Sequence, residues 1–491
     1  MSRELRIVAL LCLAAALHLF VFSAAFPFFN VVDESAHFDV VVRYSRGELP
    51  RLAGPLDPEV MRYVRYYSTL EYLWAADTLP QQKFPPPPWT LTASEVVENL
   101  AAKAKIWPAF PDNYEASQPP LYYTVAAVWW HLGQFLHLAG GSLLYWLRFM
   151  NILVVIAIVW FAYVAARLVF PENSFIRLGV PALATVFPQS AFYTVQNDIC
   201  SPLCFGIAFI LIINWDGAEI PTVQLGAAAG SAIAATFLTK ISNLPFVLAS
   251  AAFVSWRIWQ LGRRGRLGPA TRSIVALIIC SALPITLWLI HTKHAFGDFS
   301  GLQAKMRILS WTIKPVPAWW HHPIFTLQGA WTFISELLSG FWQGEMFWHH
   351  QHLGFAVGNL AYVILSIVPL AWAAVALDGP GISQAQKHAL WFALAAFLAG
   401  IVFLGFLSLI FDFHGCVYPS RQKPYFTSGR LILGALIPFL LLCVLGLDRC
   451  LHRVGTLTKF ASLGVLMIAM LAGEVVRNWS IFSSAYNWFH L

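Results

Sequence analysis

The sequence predicts an all-α, polytopic membrane protein of about eleven spans, with two large extracytoplasmic loops that carry short amphipathic helices. Two compositional observations predict this class: 58% of the 491 residues are hydrophobic with 11% charged, and the mean hydropathy is +0.64. A typical soluble domain has about 25% charged residues. A third observation is that apolar runs of roughly 20 residues, the length that crosses a bilayer core of about 30 Å, recur along the chain.

The predicted spans follow one another from the amino terminus onward. They are residues 7–28, 144–170, 178–195, 199–215, 223–238, 244–259, 273–290, 355–377, 389–411, 431–447 and 460–475. The first follows Arg3 and Arg6 but is longer than the apolar core of a typical signal peptide, so we interpret it as a retained helix. The run at residues 119–138 is also apolar. Successive loops must alternate between the two sides of the membrane, and the sides assigned to the neighbouring loops require no crossing by this run. We expect it to form a helix in the membrane interface.

The basic residues give the expected orientation. Lysine and arginine favour the cytoplasmic side, so the amino terminus and the loop with Arg263, Arg264 and Arg266 are expected inside. Much of the net charge of +7 lies in such clusters beside spans, which indicates contact with lipid headgroups and argues against nucleic acid. The chain then divides into a first transmembrane helix (1–28), a first extracytoplasmic loop with interfacial helices (29–143), a transmembrane module (144–290), a second large extracytoplasmic loop (291–354) and C-terminal transmembrane helices (355–491).

Two adjacent carboxylates, Asp33 and Glu34, follow the first predicted span within a few residues. Carboxylates at a membrane surface are costly to desolvate, so they face water, a cation or a reaction. One interpretation is a solvated helix start, because acidic residues favour the first turn of a helix. The other is catalysis. On spacing alone the two interpretations have equal weight.

Further polar segments fall in the other predicted outer loops. They are QPPLYY at residues 118–123, NDxxS at residues 197–201, TKxSNLP at residues 239–245, and the loop from residue 418 to Arg430. In this order, after the acidic pair, the segments resemble the GT-C superfamily of membrane glycosyltransferases. The resemblance runs from Asp33 to Arg430. It looks closest to bacterial relatives of protein mannosyltransferases and of the aminoarabinose lipid A transferase.

The resemblance implies a function and a location. It implies transfer of a hexosyl or pentosyl group from a polyprenyl-phosphate sugar to an extracytoplasmic acceptor, which is a protein, a lipid or a glycan, with inversion at the anomeric carbon. It also implies the bacterial inner (cytoplasmic) membrane, with the active site facing outside. The alternative is a polytopic transporter or flippase of a lipid-linked substrate. The spans carry few charges and show no repeated halves, so this alternative ranks second.

The resemblance makes the acid of the first outer loop the general base. Physical chemistry agrees, because an inverting transfer needs one carboxylate to take the acceptor proton and cations to stabilise the departing phosphate. We predict Asp33 as the base. Glu34 is the alternative, since neighbouring side chains point in different directions. Asp198 is either a second acid or, with Asn197, a cap of the following helix.

Several residues are predicted to bind substrate. His37 lies one helical turn from Asp33 and either contacts a carboxylate or phosphate or is an ordinary interfacial histidine. Lys240 interrupts an apolar stretch, where it either contacts a phosphate or snorkels to headgroups. It belongs to the TK segment of the resemblance and lies on the predicted outer side, against the bias of lysine toward the inside, so we favour the phosphate. Arg430 is expected to hold phosphate oxygens. Arg421 and Lys423 share its loop, although a solvated position fits these two better.

The remaining candidates are structural or aromatic. Gln118 precedes a proline pair that sets the direction of the next helix, and Tyr122 and Tyr123 are expected to line a lipid groove. Asn197 completes the predicted substrate-binding set. Six residues have metal-binding side chains, but their spacing matches no closed zinc motif; they are His321, His322, Glu345, His349, His350 and His352. We predict interfacial anchoring for this group and no metal site, while a divalent metal cofactor stays open.

Overall fold

Helices make up most of the part of the protein that the structure describes. The computed structural model describes residues 3–30, 33–79, 82–106, 112–377, 379 and 381–491. Within these ranges, nine helices are long and apolar enough to cross a membrane, and two shorter apolar helices accompany them. The only strands assigned in this part of the chain are four of two residues each. The predicted all-α polytopic class is therefore confirmed.

The first span and the first large loop hold five helices. They are α1 (Arg3–Ala25), α2 (Glu34–Ser45), α3 (Pro58–Tyr67), α4 (Ala93–Ile106) and α5 (Leu121–Phe135). Helix α5 lies where an interfacial helix was expected, and its 15 residues measure about 22 Å, less than the bilayer core of about 30 Å. It packs against α2. This contact holds the start of α2, where the acidic pair lies, against the bundle.

Six further helices follow, several of them in the predicted positions. They are α6 (Gly140–Val169), α7 (Ser174–Thr185), α8 (Cys200–Gly217), α9 (Val223–Thr239), α10 (Leu244–Arg263) and α11 (Leu267–Phe296). The predicted span at residues 178–195 is helical only as far as Thr185. Residues 186–199 are irregular apart from two short 3-10 turns. Pro188 contributes to this break, because proline disfavours the helical conformation of the residue before it.

The irregular segment is stabilised by side chains from other helices. Asn151 on α6 donates from Nδ2 to the carbonyls of Phe192 (3.1 Å) and Thr194 (2.8 Å). A guanidinium nitrogen of Arg477 lies 3.2 Å from the carbonyl oxygen of Pro188. Non-helical backbone at membrane depth is tolerated only where it is buried in protein and its polar groups are satisfied. The segment can therefore hold a fixed shape, and residues 196–198 lie near its end.

The second large loop is folded into the protein. It contains α12 (Leu302–Leu309), β1 (Thr312–Ile313), α13 (Val316–Trp319), α14 (Leu327–Gln343) and a hairpin of β2 (Phe347–Trp348) and β3 (Gln351–His352). Phe341 and Trp342, near the end of α14, are fully buried. Their rings pack against Phe187 of the irregular segment. Helix α14 thus belongs to the core of the bundle.

The carboxy-terminal part supplies the most buried helix. Its elements are α15 (Ala356–Leu377), α16 (Gln384–Ile410), β4 (Phe411–Asp412), α17 (Leu436–Cys450) and α18 (Thr456–Phe482), and β4 pairs antiparallel with β1. A 3-10 stretch, Gly429–Ala435, leads directly into α17. Within Gly429–Cys450, 83% of the most apolar 18-residue window is buried. Arg430 therefore lies just before a helix that is largely buried among its neighbours.

Candidate active site

Asp33 occupies an unusual backbone position immediately before α2. Its φ of 64° is left-handed, and its side chain makes no capping hydrogen bond to the helix that follows. Left-handed residues other than glycine are uncommon, although aspartate tolerates this conformation. The carboxylate instead lies 2.5 Å from a guanidinium nitrogen of Arg430 and accepts a hydrogen bond from the Tyr114 hydroxyl. The side chain that the sequence predicts as the base is thus directed away from its own helix.

Asp33 begins a chain of alternating acids and bases. Arg430 also places a guanidinium nitrogen 3.2 Å from Asp198, whose two carboxylate oxygens lie 2.6 and 2.7 Å from the Lys240 ammonium. The side chains of Asp33 and Arg430 are 13% exposed, and those of Asp198 and Lys240 are 1% and 5% exposed. We call these four residues the charged cluster. All four were predicted from the sequence, and the structure brings them together.

The ends of three helices explain how distant residues meet here. Lys240 is the first residue after α9, Asp198 lies in a 3-10 turn just before α8, and Arg430 lies in the 3-10 stretch before α17. These ends meet at one end of the bundle, below the start of α2. Gln196 adds a further contact, because its Oε1 accepts a hydrogen bond of 3.0 Å from Arg430.

Glu34 points in a different direction from Asp33. Its carboxylate is fully buried and makes two hydrogen bonds of 2.8 Å with Arg148 on α6. It also accepts from the backbone nitrogen of Val195 at 2.9 Å and from that of Phe29 at 2.8 Å. The structure therefore places Glu34 outside the charged cluster. It joins the first loop to the irregular segment that carries Asp198.

His37 lies on the first turn of α2, one turn from Asp33. Its Nδ1 is 2.7 Å from the Tyr123 hydroxyl, and its Nε2 makes no hydrogen bond with any residue that the structure describes, although the side chain is fully buried. Burial lowers the pKa of His37 to about 4. The imidazole is therefore neutral near pH 7. A buried ring nitrogen without a partner can contact a bound molecule.

Two predicted amides connect the loops around the cluster. Asn197 donates from Nδ2 to the carbonyl of Thr239 at 3.1 Å and lies 3.5 Å from Oε1 of Gln118. Gln118 in turn donates from Nε2 to Glu115 at 2.7 Å. Tyr122, like Tyr123, is fully buried. These residues fix the relative positions of the QPPLYY segment and of the loops that carry Asp198 and Lys240.

Sequence reasoning missed several residues of the site. Glu115 is almost fully buried and lies 2.7 Å from the Lys305 ammonium on α12. Tyr114 and Glu115 precede the QPPLYY segment by a few residues, which is a weak signal. Lys305 gives no such signal, because it lies among other polar residues of a long loop. Gln196, adjacent to the NDxxS segment, was noted in the sequence but not chosen as a ligand.

The surroundings of Asp33 keep its carboxyl group ionised. Burial acts to raise the pKa of Asp33, but the positive charges of Arg430 and then Lys305 outweigh this effect and hold the pKa below its usual value. The pKa of Glu115 is also lowered, because the charge of Lys305 outweighs the effect of burial. Both carboxylates therefore carry a negative charge at neutral pH.

Arg421 and Lys423 lie away from the charged cluster. Arg421 is 60% exposed and pairs with Asp412 at 2.8 Å, and Lys423 is 52% exposed and pairs with Glu336 at 2.9 Å. We call these two contacts the rim pairs. The structure brings Arg430 into the cluster but leaves the other two basic residues of the same loop on the surface.

The histidines of the second large loop make contacts of other kinds. His349 stacks on Phe84 at 4.9 Å, and Nδ1 of His350 is 3.0 Å from the carbonyl of Leu73. Across the described ranges, no group of three or more histidine, cysteine, aspartate or glutamate side chains is arranged to hold a metal ion. In the charged cluster, each carboxylate already contacts at least one cationic side chain.

The solved structures that match this chain include the following three, which cover 96% or more of it. The oligosaccharyltransferase of Archaeoglobus fulgidus in complex with zinc and sulfate is 12% identical (TM-score 0.49; 96% of this chain, 53% of that chain). AglB of the same organism, with an inhibitory peptide and a dolichol-phosphate, is 10% identical (0.49; 98% and 56%). ArnT of Cupriavidus metallidurans bound to undecaprenyl phosphate is 12% identical (0.44; 98% and 74%). The chain spans about half the length of the two archaeal proteins. No family model and no curated protein matches the sequence.

Proposed function

We propose that this protein is a GT-C type membrane glycosyltransferase, which moves a sugar from a polyprenyl-phosphate donor to a hydroxyl group of an acceptor outside the membrane. The observation that carries the proposal is the charged cluster. It holds a mostly buried carboxylate, Asp33, in contact with Arg430, and it holds Lys240 in contact with Asp198. A base for the acceptor and cations for a phosphate thus occupy one end of the bundle.

Asp33 is the proposed general base. Its carboxylate is ionised, is not used to cap α2, and is oriented by the Tyr114 hydroxyl. In the proposed reaction the acceptor oxygen attacks the anomeric carbon from the face opposite the phosphate, so the configuration inverts. The bond between that carbon and the phosphate oxygen breaks, and the acceptor proton moves to Asp33.

Arg430 and Lys240 are the proposed phosphate ligands. Arg430 lies between Asp33 and Asp198, so a small rotation of its guanidinium exchanges a carboxylate contact for a phosphate contact. Arginine can hold two phosphate oxygens at once, whereas lysine acts as a compact point charge. Asp198 holds both cations in place in the absence of a ligand, and we assign it this positioning role.

The charges of the site balance during the proposed transfer. A sugar phosphodiester carries one negative charge, and the departing polyprenyl phosphate carries a second when it is fully ionised. At the same step Asp33 gains a proton and loses its own negative charge. The total charge near Lys240 and Arg430 therefore stays constant, which avoids the cost of creating a new charge in a partly desolvated site.

His37 is a proposed substrate contact. With the Tyr123 hydroxyl donating to Nδ1, the proton of the neutral ring lies on Nε2, which makes no hydrogen bond with the described residues. This N–H group can donate to a sugar or phosphate oxygen. Gln118, Tyr122 and Asn197 are proposed to support the same region through their packing and hydrogen bonds.

Glu34 is proposed to position the site rather than to react. Both of its carboxylate oxygens already bind Arg148, and further backbone donors surround them. Arg421 and Lys423 are proposed to lie at the mouth of the site, where they meet solvent and the headgroup region. Their exposure and their pairing with carboxylates do not fit a tight contact with the phosphate of the donor.

The opposite ends of α10 support the proposed location. Lys240 lies just before this helix and Arg264 directly after it, so its 20 residues, about 30 Å in length, separate the charged cluster from the basic loop. Basic loops favour the cytoplasmic side. We propose that the charged cluster lies at the outer surface and, in line with the resemblance, that the membrane is the bacterial cytoplasmic membrane.

A direct assay tests the proposed reaction. The purified protein would receive radiolabelled polyprenyl-phosphate sugars and an extract of the envelope as the source of acceptors, and transfer of label from the polyprenyl phosphate to any other molecule would be measured. We expect Asp33→Asn to lower the turnover by about 10²- to 10⁴-fold, the usual contribution of a general base. Asp412→Asn is the matched control, because it removes a partly exposed carboxylate at a rim pair, and we expect it to retain activity.

The same assay separates the enzyme from its main rival. A transporter or flippase would move the lipid-linked sugar without breaking the bond to phosphate, so all label would stay on the lipid. Failure of the wild-type protein to cleave any donor, or full turnover by Asp33→Asn, would contradict the proposed reaction.

A further inference from the structure

A long apolar groove runs between α10 and α16 on the membrane-facing side of the bundle. Its volume is about 830 Å³, and its lining on α16 extends from Gln384 to Phe406. These residues are 22 positions apart, which corresponds to about 33 Å along a helix. On α10 the lining begins at Pro245, a few residues beyond Lys240, and continues to Trp256. The groove therefore extends from the level of the charged cluster to the opposite end of the bundle.

The end of the groove far from the charged cluster is polar. Gln384, Lys387 and His388 line it. The His388 ring is held by Asp216, 2.9 Å from Nδ1, and by the Gln384 amide, 3.1 Å from Nε2. The ammonium group of Lys387 has no hydrogen bond or ion pair to any residue in the described ranges. This end thus presents an unpaired cation beside an apolar channel.

Two further features make this end of the groove electropositive. Helix α16 begins here with the capping residue Ser383, and its first turn, all of it described, contains no acidic residue. The amino-terminal end of a helix carries a partial positive charge. Helix α10 ends at the same level with Arg263, followed by Arg264, whose side chain makes no ion pair within the described part of the chain. Positive charge and apolar surface therefore lie next to each other at this end of the groove.

We propose that this end of the groove binds an anionic phospholipid, with its phosphate at Lys387 and the start of α16 and an acyl chain along the groove toward Phe253 and Trp391. Basic pockets between transmembrane helices recognise anionic headgroups, and basic residues near the surface attract them. A zwitterionic lipid presents a cation of its own and gains less from this charge. The site is separate from the charged cluster, so this inference does not depend on the proposed sugar transfer.

Native mass spectrometry of the full-length protein tests the site. The protein in detergent would be mixed with phosphatidylglycerol or, separately, with phosphatidylcholine of the same acyl chains, and the bound lipids would be counted. We expect tighter binding of phosphatidylglycerol to the wild type. Lys387→Ala should weaken this binding about five-fold, the effect of one basic residue near a membrane surface. Arg6→Ala is the matched control, because it removes one exposed cation from α1, which packs on α6 and α7.

A second variant tests whether the acyl chain occupies the groove. Ala395 lines the groove and is exposed, so Ala395→Trp fills the channel without disturbing the core. We expect this variant to lose phosphatidylglycerol while its thermal unfolding stays unchanged. Equal binding of the two lipids by the wild type, unchanged binding by Lys387→Ala or by Ala395→Trp, or an equal loss in Arg6→Ala would overturn the proposal.

Discussion

The charged cluster and the rim pairs use the same chemistry in two environments. Both consist of carboxylates paired with lysine or arginine, and Arg430 and Arg421 even come from one loop. In the cluster the side chains are at most 13% exposed, whereas Arg421 and Lys423 are more than half exposed. Water screens the rim pairs, so each partner can be lost at little cost. A buried pair cannot lose one partner without leaving a desolvated charge.

This difference separates a site from a solvated surface. Burying an ion pair seldom gains stability over apolar packing of the same shape. Two linked pairs, Asp33 with Arg430 and Asp198 with Lys240, are therefore an expensive arrangement for stability alone. Ionisable groups inside membrane proteins are by default candidates for function. The comparison predicts that changes in the cluster affect activity and folding, and that equivalent changes at the rim affect neither.

The largest effect is expected for Arg430→Ala. Removing this guanidinium leaves Asp33 without its cationic partner and takes away the second of the two cations that contact Asp198, whose contact with Lys240 remains. We expect the free energy of unfolding to fall by about 3–5 kcal/mol, the usual cost of breaking a buried pair, and donor turnover to be lost. Thermal unfolding in detergent and the label-transfer assay measure these effects. The control is Arg421→Ala, for which we expect no measurable change, and similar behaviour of the two variants would remove the distinction between cluster and rim.

Glu34→Gln is expected to destabilise the fold more than it alters the chemical step. The substitution keeps the shape of the side chain but removes its charge from Arg148 and from the backbone nitrogen of Val195. Hydrogen bonds to charged groups contribute about 1.5–3 kcal/mol, and we expect a loss of this size in unfolding free energy. Asp33→Asn should show the reverse, with a larger loss of turnover than of stability. If Glu34→Gln and Asp33→Asn had the same stability and lost the same activity, Glu34 would be a second candidate for the base.

Lys240→Met tests the phosphate contact. Methionine keeps much of the length of the side chain but cannot bind a phosphate, so we expect the KM for the donor to rise about ten-fold, the equivalent of about 1.4 kcal/mol. Lys423→Met is the control at a rim pair, where we expect an unchanged KM. A fall in kcat with no change in KM would assign Lys240 to another step.

Part of the site was predictable because charge is rare in this sequence. Asp33, Asp198, Lys240 and Arg430 each stand beside an apolar span, where an ionised side chain is costly. Glu115 and Lys305 lie in polar loops, and no local pattern distinguishes them from solvated residues. Their pairing depends on how α12 folds back over the first loop. Such a contact between distant loops has no signal in the local sequence.

The same reasoning explains the fold. Hydropathy located the long helices well, because a run of about 20 apolar residues has few other solutions. Hydropathy predicts one span over residues 178–195, but the helix ends at Thr185. The backbone beyond that point is satisfied by Asn151, Glu34 and Arg477, which lie far away in sequence. Hydropathy depends only on the polarity of the side chains within one segment, so it contains no information about hydrogen-bond partners that are distant in sequence.

The smallest effect on turnover is expected for a change of pH. The pKa of Asp33 is lowered, so its carboxylate stays ionised until the pH falls below the usual range for aspartate. His37, with a pKa of about 4, stays neutral from about pH 6 upward. Turnover should therefore be nearly flat from about pH 6 to about pH 8, because neither group changes its charge there. His37→Gln should lower the rate through the lost contact but leave this flat profile in place. The contrary result would be a wild-type rate that depends on a group with a pKa near 6.5, together with the loss of this dependence in His37→Gln. That result would make His37 the group that exchanges the proton.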